Sequence, residues 1–384
     1  MNSFEFYNPV KIVFGKGKIA ELPKFIAKDQ RVLITYGGGS IKENGVYDQV
    51  FDALKGYTVF EFGGIEPNPK YETLMKAVAL IRKEKIDFVL AVGGGSVIDG
   101  TKLIVAAVPF KGEPWDILSK KAPIVEALPF GAVLTLAATG SEMNSGAVIT
   151  RNETKEKLAF GSPLLFPQFS ILDPTTTFSL PSNQVANGIV DTFIHTTEQY
   201  LTYPVNAPIQ DRTAEGILLT LIEEAPKAMA SRNDYDVKAN LMWSATMALN
   251  GLIGVGVPSD WATHMIGHEL TAYHGLAHGV TLAIVLPSLL RTMIDEKQAK
   301  LAQMAERVWG ITKGTEREKA LAAIDKTEAF FQSLGVKTKL TEYGIGAENF
   351  AKIVTRFEER GWKGLGERRM VTPAKVLEIL KASL

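Results

Sequence analysis

Residues 88–99 read Phe88-Val89-Leu90-Ala91-Val92-Gly93-Gly94-Gly95-Ser96-Val97-Ile98-Asp99, a short apolar run delivered straight into three glycines and a serine. Five apolar residues with no polar face suit a strand covered on both sides, as in a parallel sheet. Val32–Tyr36 (VLITY) makes the same pattern upstream and ends in Gly37-Gly38-Gly39-Ser40; Ala132–Leu136 (AVLTL) makes it again downstream. Between the first two, Tyr71–Lys83 carries Leu74, Ala77, Val78 and Ile81 at helical spacing, as a crossover helix does. Residues 1–180 therefore predict an α/β domain of repeated strand–helix–strand units. After Pro181 strand-like runs almost vanish, and helical patterns such as Thr213–Glu224 and Thr315–Leu334 take over. A second, all-helical domain is expected over 181–384, joined near Phe178–Ser182.

Composition narrows the function classes. With 384 residues, 46% of them hydrophobic and 22% charged, the chain has ample material for two globular cores. Its 42 Lys+Arg balance 42 Asp+Glu, so no global positive field draws nucleic acid or anionic lipid, and a small-molecule partner is expected. Cysteine is absent, which excludes disulfides, thiolate metal sites and thiol nucleophiles. Any metal must sit on His, Asp or Glu. No cationic flank leads into an apolar amino-terminal run, and no uncharged apolar stretch reaches the ~18–20 residues that span a bilayer. A cytoplasmic protein with no membrane partner is the expectation.

The glycine loops differ in meaning. Gly15-Lys16-Gly17-Lys18-Ile19-Ala20 formally fits the G-x-G-x-x-G/A dinucleotide fingerprint, but Pro23 falls where the following helix should still be in its first turns, and we read it as a decoy. Gly93-Gly94-Gly95-Ser96 is better placed: a strand feeds it, and free N–H groups at the start of the next helix, with its dipole, suit a pyrophosphate. Ser96 as N-cap and Asp99 three residues on also satisfy a capping box, which would fix Asp99 by helix chemistry alone. The Gly37–Ser40 loop lies where the adenosine half of a dinucleotide would. It lacks the carboxylate that holds an unphosphorylated ribose, while Gly39 leaves room and Ser40 supplies a donor, which favours NADP(H) over NAD(H). Thr135-Leu136-Ala137-Ala138-Thr139-Gly140-Ser141-Glu142 is a third loop rich in hydroxyls.

Four of the five histidines, His264, His268, His274 and His278, lie within fifteen residues. The fifth, His195, stands four residues after Asp191, so on a helix the carboxylate and imidazole share a face and can chelate. His264 and His268 share that spacing, but Met265 replaces the glutamate of H-E-x-x-H, which argues against a zincin. One carboxylate with two or three imidazoles suits Fe²⁺ or Zn²⁺ with a position open to a substrate oxygen. Spacing does not say which of the clustered histidines are ligands.

Taken in order, Phe14-Gly15, Tyr36–Ser40, Pro67-Asn68-Pro69, Gly93–Asp99, Ala138–Glu142, Asp173-Pro174, Asp191…His195 and His264…His278-Gly279 make the chain resemble the iron-containing alcohol dehydrogenase family, in particular its NAD(P)H-dependent butanol dehydrogenases and broad-range aldehyde reductases. The resemblance covers nearly the whole chain. It implies a Rossmann-like dinucleotide-binding domain (1–180) followed by an all-helical metal- and substrate-binding domain (181–384), the architecture also of dehydroquinate synthase. It implies that Asp191, His195, His264 and His278 ligate one divalent metal and that His268 lies beside nicotinamide and substrate; because a proton must reach the alkoxide, His268 is then the expected relay. It further implies that Gly94, Gly95 and Ser96 hold the pyrophosphate and Gly37, Gly38, Gly39 and Ser40 the adenosine end. Asn68, Asp99, Thr135, Thr139, Ser141, Lys157 and Thr177 are then expected along the cofactor cleft. NAD-preferring relatives carry Asp at position 39, so the glycine again favours NADP(H). The implied enzyme is an oxidoreductase moving hydride between NADP(H) and a small alcohol or aldehyde such as butanol or butanal, as a homodimer. A glycerol dehydrogenase-like polyol oxidoreductase is the alternative. A dehydroquinate synthase-like lyase would need Lys and Arg for a phosphorylated acid, and none occurs from Trp261 to Pro287; a non-catalytic nucleotide-binding protein would not need four intact ligands.

Overall fold

The computed structural model describes residues 1–384, which gather into two compact units. The sheet unit comprises Tyr7–Pro181 and Ser231–Asn250; the helical unit comprises Met1–Phe6, Ser182–Ala230 and Gly251–Leu384.

In the sheet unit, β1 (Lys11–Phe14), β2 (Arg31–Tyr36), β3 (Thr58–Phe62), β4 (Phe88–Gly93), β5 (Phe130–Leu134) and β8 (Phe169–Leu172) form one sheet in the order β1-β8-β5-β4-β2-β3. Every neighbouring pair is parallel. β6 (Gly146–Arg151) and β7 (Glu156–Gly161) make a separate antiparallel hairpin. The helices preceding residue 181 are α1 (Ser40–Glu43), α2 (Val46–Ala53), α3 (Tyr71–Glu84), α4 (Gly95–Ala107) and α5 (Asp116–Ser119). Alternation along the strands sorts side chains into two cores. Leu33, Val89 and Ala91 join α3 and α4 on one face, while Val32, Ile34, Phe88, Leu90 and Val92 meet α2 and the 3₁₀ segment Lys18–Lys24 on the other. Both faces are covered, which is why these strands read as mostly apolar runs without a polar face.

From β2 the chain goes outward to β3, then returns past β2 to β4 and continues to β5 and β8. The connections therefore diverge between β2 and β4, and a ligand crevice opens at the carboxyl ends of strands at such a switch point. Tyr36 and Val92, side by side in register, lead into the two glycine loops there.

The helical unit holds α6 (Ser182–Tyr200) and α7 (Pro208–Ala230); α8 (Tyr235–Ala248) belongs to the sheet unit; α9 (Ala262–His274), α10 (His278–Thr292), α11 (Ile294–Arg307), α12 (Glu316–Ser333), α13 (Phe350–Glu359) and α14 (Pro373–Ala382) return to the helical unit. α10 is its centre, buried almost continuously from Thr281 to Leu290 and packed against α6, α9, α12 and α14. α8 departs from a division of the chain at Pro181 because Met242 lies in the sheet-unit core, Trp243 packs edge-on against Phe14, and Thr246 Oγ1 donates to Glu142 Oε1 at 2.5 Å.

Candidate functional site

In the sheet unit the loops after β2, β4 and β5 carry the residues expected to meet a nucleotide. Gly39 has φ +107 and nothing within 4 Å of where a Cβ would stand, so the backbone there requires glycine while the space around it is open. Ser40 begins α1. The expected capping box does not form: α4 starts two residues earlier, with Gly94 and not Ser96 as N-cap, and no side-chain cap. Asp99 turns instead to the third loop, where Oδ1 accepts from Ser141 Oγ at 2.6 Å and Oδ2 from Val148 N–H at 2.9 Å. Uncapped, the first amides of α4 keep their donors for a ligand. A Cβ on Gly95 would stand 2.3 Å from Thr139 Oγ1, so the glycine also lets the third loop lie against the start of α4.

The other expected residues form two clusters. Lys157 Nζ on β7 donates to Asn68 Oδ1 at 2.8 Å, and the Asn68 N–H donates to Ser96 Oγ at 3.3 Å, which ties loop, hairpin and the start of α4 together. Asn68 itself has φ +56. Ser141 bridges Asp99 and Lys102: its hydroxyl accepts from Lys102 Nζ at 2.8 Å while donating to Asp99. Thr139 Oγ1 accepts the Ser141 N–H at 3.2 Å. β5 ends at Leu134, so Thr135 falls in the loop, its N–H bonded to Gly93 O at 3.0 Å. Thr177 is buried and closes a 3₁₀ turn on Pro174 O. The Gly15 loop enters a 3₁₀ helix and not an α-helix, and its Gly17 N–H is taken by Asp173 Oδ2 at 2.6 Å; it presents no helix terminus to a phosphate.

The helical unit brings together four of the five histidines around one carboxylate. α6 carries Asp191 and His195, α9 carries His264 and His268, and His278 opens α10. Asp191 Oδ1 lies 3.5 Å from His195 Nδ1, 3.7 Å from His264 Nε2 and 3.8 Å from His278 Nε2. Asp191, His195 and His264 each offer a donor atom within 4.8 Å of the others. Atoms bound to a common ion at about 2.0–2.2 Å stand roughly 3–4 Å apart, so these separations, too long for hydrogen bonds, fit shared coordination. The His264 Nε2 atom is moreover buried without a hydrogen-bond partner. The His195 and His264 rings stack at 4.6 Å. His268 sits beside them, its ring 5.3 Å from that of His278 and 6.3 Å from that of His264. His274, at the end of α9, stands apart, its pKa lowered by burial.

Burial by itself would depress the pKa of His264, but the Glu198 and Asp191 carboxylates overturn that and hold it up at about 9. Two buried carboxylates thus make the surroundings of this ring favour positive charge, as a divalent ion would supply it. Glu198 is the residue that sequence reasoning missed, although it lies three positions after His195 on the same helix face. Trp261, in a left-handed conformation (φ +64) that is rare for a bulky residue, packs edge-on against the rings of both His195 and His264. Guanidinium groups do reach α9 from elsewhere in the chain: Arg356 and Arg360 of α13 both pair with Glu269.

Residues 9–174 match the family described as iron-containing alcohol dehydrogenase, and residues 185–384 match the C-terminal part of the same family. The chain is 59% identical over 375 residues to the NADPH-dependent aldehyde reductase YqhD of Escherichia coli, covering 97% of each protein. It is 46% identical over 389 residues, all of both chains, to a protein of Bacillus subtilis named as a probable NADH-dependent butanol dehydrogenase. The crystal structure of the E. coli K-12 protein superposes with a TM-score of 0.98 at 57% identity, over 100% of this chain and 99% of that one. With glycine loops at a sheet switch point, a buried Asp–His cluster in a helical unit and family matches covering 9–174 and 185–384, the chain belongs to the iron-containing alcohol dehydrogenase family.

Proposed function

We propose that this protein is a metal-dependent oxidoreductase that reduces small aldehydes with NADPH and, in reverse, oxidises primary alcohols such as butanol. The observation that carries the reading is the buried carboxylate of Asp191 with imidazole nitrogens of His195, His264 and His278 at 3.5–3.8 Å. A set of one carboxylate and three imidazoles with no thiolate suits Fe²⁺ or Zn²⁺. When bound, the cation supplies Lewis-acid stabilisation of charge developing on the carbonyl oxygen, and NADPH supplies the hydride. The protein's own groups do the rest. The amides of Gly94–Ser96 at the start of α4 hold the pyrophosphate. The open, carboxylate-free loop at Gly39 and Ser40 admits the ribose 2′-phosphate, a reading supported by the NADPH dependence of the E. coli relative. Lys157, Asn68, Asp99, Thr135, Thr139, Ser141 and Thr177 orient the cofactor, and His268 delivers the proton to the product oxygen.

An aldehyde panel that includes butanal, assayed with NADPH and NADH on protein of known metal content, tests this. The expectation is cofactor oxidation that needs metal and favours NADPH; no turnover with any aldehyde on fully loaded protein refutes it. No helix is long and apolar enough to cross a membrane, and we place the enzyme in the cytoplasm, beside the NADPH pool. We also propose a homodimer, supported by Phe4 and Phe6, which are exposed at the amino terminus; sedimentation velocity checks it.

A further inference from the structure

We infer that Glu198 is the positioning residue for His264, fixing that ring's tautomer and rotation so that Nε2 faces Asp191. The inference rests on the metal-site reading above and extends it. Glu198 lies seven residues after Asp191 and three after His195, so one face of α6 carries two proposed ligands and the group that orients a third. Its side chain is buried, and both oxygens are spent on α9. Oε1 accepts the Thr263 N–H at 2.6 Å, and Oε2 accepts from His264 Nδ1. The Glu198 carbonyl accepts the Asp260 N–H at 2.9 Å.

The start of α9 explains why this carboxylate comes from another helix. Trp261 is its N-cap and contributes no side-chain hydrogen bond. Asp260 Oδ1 takes the Ala262 N–H at 2.9 Å, and Glu198 takes the next one. An anion thus stands at the positive end of the α9 dipole and satisfies an amide that its own helix leaves open. The same anchored carboxylate sets the chemistry of His264. A neutral imidazole has one N–H and one acceptor nitrogen, and an ionised carboxylate only accepts. Nδ1 must therefore carry the hydrogen, which leaves the Nε2 lone pair free toward Asp191, 3.7 Å away. A carboxylate on the far nitrogen of a ligand histidine characteristically fixes its tautomer and raises its basicity.

Glu198→Gln is nearly isosteric and can still accept from Thr263 through its amide oxygen. It then turns an NH₂ group on Nδ1, which must become an acceptor, and the ring hydrogen moves to Nε2, where it blocks coordination. Zn²⁺ affinity measured by chelator competition is expected to fall about 10- to 100-fold, and the visible spectrum of the Co²⁺-loaded protein is expected to change. If Glu198 only holds the two helices together, the variant loses thermal stability but keeps wild-type Zn²⁺ affinity and the wild-type Co²⁺ spectrum, and the inference is overturned. Should Glu198→Gln not fold, Glu198→Asp keeps the charge and loses the reach: weakened Zn²⁺ binding supports the inference, and unchanged binding overturns it. Asp191→Ala separates the two levels. If that variant binds Zn²⁺ as tightly as wild type, the metal-site reading fails and Glu198 with it; if it loses Zn²⁺ while Glu198→Gln does not, only the positioning role fails.

Discussion

Lys102 is completely buried in α4 and aims its ammonium at four acceptors: Ser141 O at 2.8 Å, Ser141 Oγ at 2.8 Å, Asn144 Oδ1 at 2.9 Å and Gly146 O at 2.7 Å. An ammonium has three hydrogens, so one is shared, and the loop over 141–146 hangs from this single cation. The same charge balances Asp99 and Glu142, whose pKa values burial pushes up. Lys102→Met keeps the length of the side chain and removes the charge, leaving two buried carboxylates uncompensated. Breaking one side of such a cluster costs about 3–5 kcal/mol, which for a unit of this size lowers Tm by roughly 6 to 20 °C. Scanning calorimetry near pH 7 measures the fall, and the KM for NADPH should rise as the loop loosens. Adding Asp99→Asn should recover part of the loss, because the two residues are coupled. Burial also lowers Lys102 to about 8 from its usual 10.5, against the opposing pull of Asp99 and Glu142. The unfolded chain then binds the extra proton between pH 8 and 10.5, so this group adds stability as pH rises through that window and withdraws it as pH falls. Lys102→Met should lack that slope. A Tm within about 3 °C of wild type, with an unchanged KM, would refute the reasoning.

Three further outcomes follow from the proposed site. His264→Ala should lose both metal and turnover while NADPH still quenches tryptophan fluorescence as in wild type; stoichiometric metal with normal turnover removes this residue from the site. Gly39→Asp should weaken NADPH binding through like-charge repulsion and spare NADH, but φ +107 strains any side chain there. Gly39→Asn carries the same strain without the charge, and only a difference between the two variants in the kcat/KM ratio for NADPH over NADH implicates charge. His268→Ala should keep its metal and lower kcat by about 10²–10⁴, with the limb of the pH–kcat profile flattened; loss of metal would make His268 a ligand or a support for one.

Much of this arrangement was legible because its causes are local. The runs at Val32, Phe88 and Ala132 are mostly apolar because both faces of the sheet are covered, and the Asp191/His195 spacing meets the helical repeat. What escaped was set by partners distant in sequence. Ser96 and Asp99 read as a capping box, yet Ser141 and Val148, more than forty residues on, claim the Asp99 carboxylate. Glu198 was visible as an acid on the ligand face of α6, but nothing nearby says that Thr263 and His264 take its two oxygens. α8 reads as one more helix after Pro181, and contacts distant in sequence, Met242 in the sheet-unit core, Trp243 on Phe14 and Thr246 on Glu142, assign it to the sheet unit. Trp261 gives no sign in sequence of its left-handed backbone.

Because Ser231–Asn250 completes the sheet unit while Met1–Phe6 completes the helical one, the chain passes between the units four times. Growing from the ribosome, the sheet has all its strands once Leu172 is made, yet the seat of Met242 in its core stays empty for some seventy residues more, with α6 and α7 emerging in between. The Asn2 N–H likewise waits for the carbonyl of Gly256, made some 250 residues later. Domains that are contiguous in sequence can fold one after the other during synthesis; here neither unit can close before the chain has passed residue 250. A fragment stopped at Pro181 would hold a finished sheet over an unfilled core, so neither truncation nor a simple swap of halves between relatives will yield an independent nucleotide-binding module unless the α8 segment travels with it.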